Sequence, residues 1–420
     1  MTQPVRRALV IYACAFAVAG VTPFLLLPLL TKQLTPTQFG EVTSFLILAA
    51  LLGNLVGLSA HGFVAVRFFK TAADRFKTAV SSVIGTLGVL HVAAFAVVGL
   101  AHPLLERSLG LSLPEVLLAV VAALFLNLNF VFLAIFQSSS QPWRYLQSRV
   151  LQGSIELGLC LALLFLVAAD ASARTYSYTI ALAASALMGW AYCAAQGRVG
   201  ARVERAWVRD MLRFGGPLVP HIVAGTAITY MDRLVVTSML GTERLGIYMV
   251  AMQFGMAMIA LIEPLNKALA PWLFQQLARN DEGVRRMIVR RTYQIFLLLV
   301  VCGALLALAA HLLFDHLVAP EYADARTLIP WMVAGFVCQG MYYTQVNYLF
   351  FVERTGRLSM VTGATAVGGV LVSFALTRAY GLQGAGASFL INNLIMFLLV
   401  WLVASRAVPM PWRLAGSIKK

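Results

Sequence analysis

The sequence predicts an all-α polytopic membrane protein with about twelve transmembrane helices, and three observations carry that prediction. Of 420 residues, 60% are hydrophobic and only 12% are charged, whereas a soluble domain carries about 25% charged residues. The apolar residues come in continuous runs long enough to cross a bilayer, not in the alternation of a β-barrel. Lys and Arg recur in every second connection between those runs, as on the cytoplasmic side of a membrane protein. Disorder is excluded because it requires low hydrophobicity.

Cutting the apolar runs at charges and turn residues gives six spans before the basic stretch near Arg202: 9–30, 42–66, 78–101, 114–136, 150–169 and 176–195. Six follow it: 214–240, 245–270, 288–314, 328–351, 358–377 and 382–404. Each is long enough for a hydrocarbon layer of ~30 Å. The first follows Arg6 and Arg7 like the start of a signal peptide, but it runs to Leu30 and more spans come after, so an uncleaved span is expected. Pro23 and Pro28 should bend or break it. The second span holds Asn54, the fourth Asn127 and Asn129, the fifth Glu156, the seventh Asp232 and Arg233, and the eighth Glu263 and Lys267. The tenth holds Gln345 and Asn347, and the last Asn392 and Asn393. Amides suit sugar hydroxyls, and they also serve as interhelical ties.

Of the 32 Lys and Arg residues, 24 fall on the side of the N-terminus and six on the other, so both termini are expected in the cytoplasm of a bacterial inner-membrane protein. The net charge of +15 is thereby a matter of topology, and no nucleic-acid partner is expected. Shifting the sequence by 206 residues places Thr31, Leu34 and Gly40 on Thr237, Leu240 and Gly246. Both halves start on the same side, so the repeats are parallel, with bundles at 1–200 and 201–420.

Several chemistries are absent. No glycine-rich loop ends in Gly-Lys-Ser/Thr, so ATP hydrolysis would need a separate chain. Gly381, Gly384 and Gly386 are spaced unlike a dinucleotide fingerprint and open an apolar span. Five dispersed cysteines and six mostly isolated histidines suggest neither disulfides nor a metal site, and no cofactor is expected. Connections under about twenty residues leave no room for a soluble catalytic domain, so the chain reads as a transporter, not an enzyme.

The candidate site is the set of ionisable residues inside the spans. Each costs on the order of 3 kcal/mol at a helix centre, so water or a partner must relieve it. Asp232 and Arg233 are adjacent, and their side chains diverge by roughly 100°. They either line a cavity or pair with neighbouring helices. Glu263 and Lys267, one turn apart, form either a self-satisfied ion pair or a cation that grips an anion with a carboxylate moderating it. The 206-residue shift sets Lys267 opposite His61, and the two are expected to flank an anionic head group, unless His61 is a neutral interhelical histidine. Arg67 is either a cytoplasmic gate or an anchor, and Glu156, expected in the inner half of its span, either a proton or cation relay or a helix tie.

Four stretches carry a resemblance: LPLLTKQLTPTQFGEVTSF from Leu27, FGGPLVPHIVAGTAITYMDRLVVTSMLGTERLGIYMVA from Phe214, VAPEYADARTLIPWM from Val318 and YGLQGAGASFLINNL from Tyr380. Through them the chain resembles Wzx-type polysaccharide-biosynthesis (O-antigen) flippases of the multidrug/oligosaccharidyl-lipid/polysaccharide exporter superfamily. The resemblance implies two pseudo-symmetric six-helix bundles around a central V-shaped cavity. It also implies translocation of an undecaprenyl-pyrophosphate-linked oligosaccharide to the outer leaflet by alternating access. Asp232 and Arg233 match the family's aspartate–arginine pair in the seventh helix. The implied partners are the lipid-linked oligosaccharide, membrane lipids, a coupling proton or sodium ion, and glycan polymerase and export proteins. A cation-coupled multidrug exporter of the same superfamily is the nearest alternative, and a membrane-embedded glycan polymerase or ligase a more distant one.

Overall fold

Prolines, glycines and caps divide the long apolar runs into helices. In the computed structural model, which describes residues 3–167, 169–279, 281–352 and 355–412, all regular structure among the described residues is helical. The first half contains α1 (Gln3–Gln33), α2 (Pro36–Gly57), α3 (Ala60–Lys70), α4 (Ala73–Leu100), α5 (His102–Leu109), α6 (Leu113–Ser138), α7 (Pro142–Leu166) and α8 (Ala171–Ala195). Then follow α9 (Arg205–Gly215), α10 (Val219–Met256), α11 (Ile259–Leu277), α12 (Glu282–Leu317), α13 (Asp324–Phe351) and α14 (Thr355–Ala407). Eight of these helices carry a stretch long and apolar enough to cross a bilayer.

Two helices are double. α10 turns at Gly241 (φ 87°) and α14 at Gly381 (φ 58°), a left-handed backbone that glycine adopts without a Cβ penalty. Conversely, the second expected span is divided at Leu58 and Ser59, both with positive φ, into α2 and α3. The eighth is divided between α10 and α11, and α5 and α9 are short helices within connections. Counted this way, twelve segments follow the expected order.

Several helices start before their expected spans, and one expected break is absent. α1 runs unbroken through Pro23 and Pro28. α7 begins at Pro142 and α12 at Glu282, well before the expected 150 and 288. Cutting at charges truncates helices whose first turns are ionic: Arg144 stacks on the Tyr192 ring at 3.9 Å, and Arg286 pairs with Glu282 at 2.7 Å. Arg354, Arg413, Lys419 and Lys420, counted on the basic side, lie outside the described residues.

Local signals fix the starts. Thr35 caps α2 in a reciprocal box with Gln38, and Ser112 caps α6 in a box with Glu115, the Ser112 amide donating to Glu115 Oε2 at 2.8 Å. Asp170 and Asp281 accept the Ser172 and Val284 amides at the starts of α8 and α12.

The chain forms two compact units, Met1–Gly246 and Ile247–Lys420. The division falls inside α10, not near residue 200, because the first segment of α10 is held by the first unit: Leu234 packs on the cluster of Phe45, Leu48 and Leu182, and Asn54 Nδ2 donates to Thr226 Oγ1 at 3.3 Å. In the first unit α6 is the hub, touching α2, α3, α4, α7 and α8. In the second unit α13 is the hub, against α11, α12 and α14. Each is the fourth membrane-length segment of its half.

The internal repeat has a direct structural signature. Thr35, the cap between α1 and α2, and Gly241, the break in α10, are separated by the same 206 residues. Beside them, a Cβ on Gly40 would lie 1.8 Å from the Thr242 carbonyl oxygen, and one on Gly246 would lie 2.1 Å from that of Pro36. Thr242 and Pro36 are themselves 206 apart, so the contact is reciprocal.

Candidate functional site

The ionisable residues of the spans fall into two charge pairs and three separate groups. On α10, Asp232 and Arg233 are largely enclosed, with 15% and 12% of their side chains exposed, and Arg233 Nη1 lies 4.0 Å from Asp232 Oδ1. Adjacent positions diverge around a helix, yet the long arginine folds back: its Nη1 donates to the Thr229 carbonyl one turn earlier and its guanidinium sits 5.3 Å from the Tyr230 ring centre. The two groups therefore do meet, at the limit of an ion pair.

On α11, Lys267 Nζ lies 3.3 Å from Glu263 Oε2, with 62% and 40% of the side chains exposed. An exposed pair is worth at most about 1 kcal/mol in water, so an incoming anion could compete for the ammonium. Nearby, Asn347 Nδ2 donates to Asn266 Oδ1 at 2.9 Å, tying α13 to α11. The cavity beside it, about 10 Å³ between Ile262, Asn266, Tyr343 and Thr344, is of the order of one water.

The remaining candidates have other partners. Glu156 accepts from Arg174 Nη2 at 2.6 Å, and both side chains are more than nine-tenths buried. Because α7 starts at Pro142, Glu156 lies just past the helix midpoint, toward the α7–α8 connection. Arg67 reaches Asp210 of α9 at 3.4 Å and stacks near Phe63 and Trp207, at 5.1 and 5.4 Å, so it ties α3 to α9. His61 is exposed within its unit, its ring 5.8 Å from that of Phe130.

Most of the amides turn inward. Asn127, Asn129, Gln345 and Asn347 are buried. Asn127 Nδ2 donates to the Gly53 carbonyl at 3.1 Å and lies 3.4 Å from His91 Nε2, joining α6, α2 and α4. Asn129 bonds Gln152 of α7, and Asn392 bonds the Gly369 carbonyl. Asn54, by contrast, is exposed. Spacing gave no sign of two of these roles: Arg174, counted as a loop charge, is the buried partner of Glu156, and Asp210 is the partner of Arg67. Among the described residues, no group of three or more His, Cys, Asp or Glu side chains could hold a metal ion.

Both charge pairs are locally neutral. Chemically, a pair of this kind is able to exchange partners, with an anion taking the cation and the carboxylate taking a proton or a small cation.

The fold is that of the multidrug/oligosaccharidyl-lipid/polysaccharide exporter superfamily. An inward-facing multidrug resistance MATE transporter of that superfamily superposes with a TM-score of 0.75 at 14% identity, covering 94% of this chain and 97% of that one. The lipid II flippase MurJ, in an inward closed conformation, gives 0.73 at 13% identity, covering 94% and 87%. The chain belongs to the polysaccharide biosynthesis protein family, whose model matches residues 6–277. It is also similar to Lsg locus putative protein 1 of Haemophilus influenzae, 19% identical over 376 residues, or 88% of this chain and 90% of that protein.

Proposed function

We propose that this multi-pass membrane protein is a flippase, not an enzyme, that carries an undecaprenyl-pyrophosphate-linked oligosaccharide from the cytoplasmic to the outer leaflet of the bacterial inner membrane by alternating access. Surface polysaccharide assembly, O-antigen included, is the process it serves, and both termini lie in the cytoplasm. The observation that carries the reading is the pair of charge-neutral couples, Asp232–Arg233 and Glu263–Lys267, on membrane-length helices of a polysaccharide biosynthesis family member. The cargo's pyrophosphate competes with the carboxylates for Arg233 and Lys267, His61 adds a further donor, and Arg67 gates the cytoplasmic end. A proton or sodium ion on the released Asp232 or Glu263 couples turnover, with Glu156 an auxiliary relay. Glycan polymerase and export proteins consume the product.

Arg233→Ala or Lys267→Ala, at normal abundance, is expected to leave lipid-linked oligosaccharide stranded on the cytoplasmic leaflet; normal surface glycan in both variants removes the site assignment. Mass spectrometry of lipid-linked intermediates after gene deletion names the cargo by what accumulates. A second reading, a cation-coupled drug exporter, draws on the MATE likeness and the two carboxylates. An unchanged lipid pool with altered drug tolerance favours it.

A further inference from the structure

α9 is the most sharply two-faced helix of the chain. Its Trp207 and Met211 are buried against Val80, Phe63 and their neighbours, so the helix lies packed along α3 and α4. On the other side Arg205, Arg209 and Arg213, spaced by four residues, are exposed. At 1.5 Å per residue they form a ladder roughly 12 Å long. They line, with Val208 and Leu212, a shallow depression of ≈ 370 Å³.

Two facts make this face a binding surface and not merely a solvated one. The carboxylates of the segment are engaged elsewhere: Asp210 holds Arg67 at 3.4 Å and Glu204 holds Arg202 at 3.2 Å. The three arginines are thus left without a carboxylate partner among the described residues. Apolar side chains are also exposed nearby, Leu212 on the same helix by 41% and Val203, two residues before Arg205, by 55%. A soluble polyanion would leave these wet, whereas a bilayer interface buries them while phosphates meet the guanidinium groups.

We propose that the open face of α9 is a site for anionic phospholipid, in which Arg205, Arg209 and Arg213 bind headgroup phosphates and Leu212 and Val203 enter the acyl boundary. The helix then lies in the membrane surface, anchored through Arg67–Asp210 to α3. The three arginines are distinct from the charge pairs on α10 and α11.

The test uses the purified full-length protein in neutral detergent, titrated with phosphatidylglycerol or phosphatidylcholine, with bound lipid counted by native mass spectrometry. Phosphatidylglycerol should be retained selectively, and its affinity should fall about fivefold for each arginine replaced by glutamine. The series R209Q, R205Q/R209Q and R205Q/R209Q/R213Q reads this out even if the triple variant fails to fold. R205K/R209K/R213K should retain most of the binding. Equal retention of the two lipids, or undiminished phosphatidylglycerol binding in the glutamine series, overturns the proposal. Displacement of phosphatidylglycerol from the wild type by excess inorganic pyrophosphate overturns the lipid as occupant and makes the surface a soluble-anion site.

Discussion

A buried carboxylate and a buried guanidinium 2.6 Å apart stabilise α7 and α8 only as a couple. Breaking such a pair leaves one charge unpaired in a low-dielectric setting, at a cost of about 3–5 kcal/mol. Arg174→Ala is therefore expected to lower the thermal midpoint sharply in detergent, and Glu156→Gln, which keeps an acceptor, to lower it less. If Glu156 instead relays protons, Glu156→Gln abolishes transport while leaving the midpoint nearly intact, and paired measurement of stability and glycan export separates the two roles. Glu156 was visible in the sequence because a lone carboxylate in an apolar run stands out. Arg174 was not, because eighteen residues of separation and a position at the edge of a run look like an ordinary loop charge. The amides were legible as a class, but their direction depends on helix rotation, which composition does not encode.

At the level of helices, the reciprocal contact of Gly40 and Gly246 makes a sharp comparison possible. A methyl group at either position meets backbone and not a movable side chain. Gly40→Ala and Gly246→Ala are each expected to cost at least the ~1–3 kcal/mol typical of overpacking, whereas Gly88→Ala in α4, with nothing within 4 Å of the added carbon, should be neutral or stabilising by up to ~1 kcal/mol. Thermal unfolding of the three purified variants checks this ordering. The junction from α12 to α13 has a pH signature. The Arg326 hydrogen bond holds the exposed Asp315 carboxyl below its ordinary value of 3.8. That contribution is complete above 3.8 and is lost as pH falls through the lowered value. Asp315→Asn should flatten the acid limb of a stability profile and leave the neutral region otherwise unchanged in shape. Helix number and order were readable from hydrophobic runs. Helix starts were not, because ionic first turns such as that of α7 continue past the apolar layer.

Across the whole chain, the repeat was legible from a handful of identities, and the paired breaks at Thr35 and Gly241 and the hub positions of α6 and α13 give it a physical basis. The even number of segments together with the basic bias predicts that reporters fused at either end are active only on the cytoplasmic face; one terminus reporting from outside would break the topology. Family membership was legible from diffuse motifs, whereas the cargo was not, since the partners of the few intramembrane cations are set by folding. The Glu156–Arg174 couple also bears on biogenesis. Neither α7 nor α8 can enter lipid alone without carrying an uncompensated ion, at a cost of on the order of 3 kcal/mol. The two are best delivered as a preformed hairpin, so synthesis halted between them should leave α7 waiting at the insertion machinery until its mate emerges.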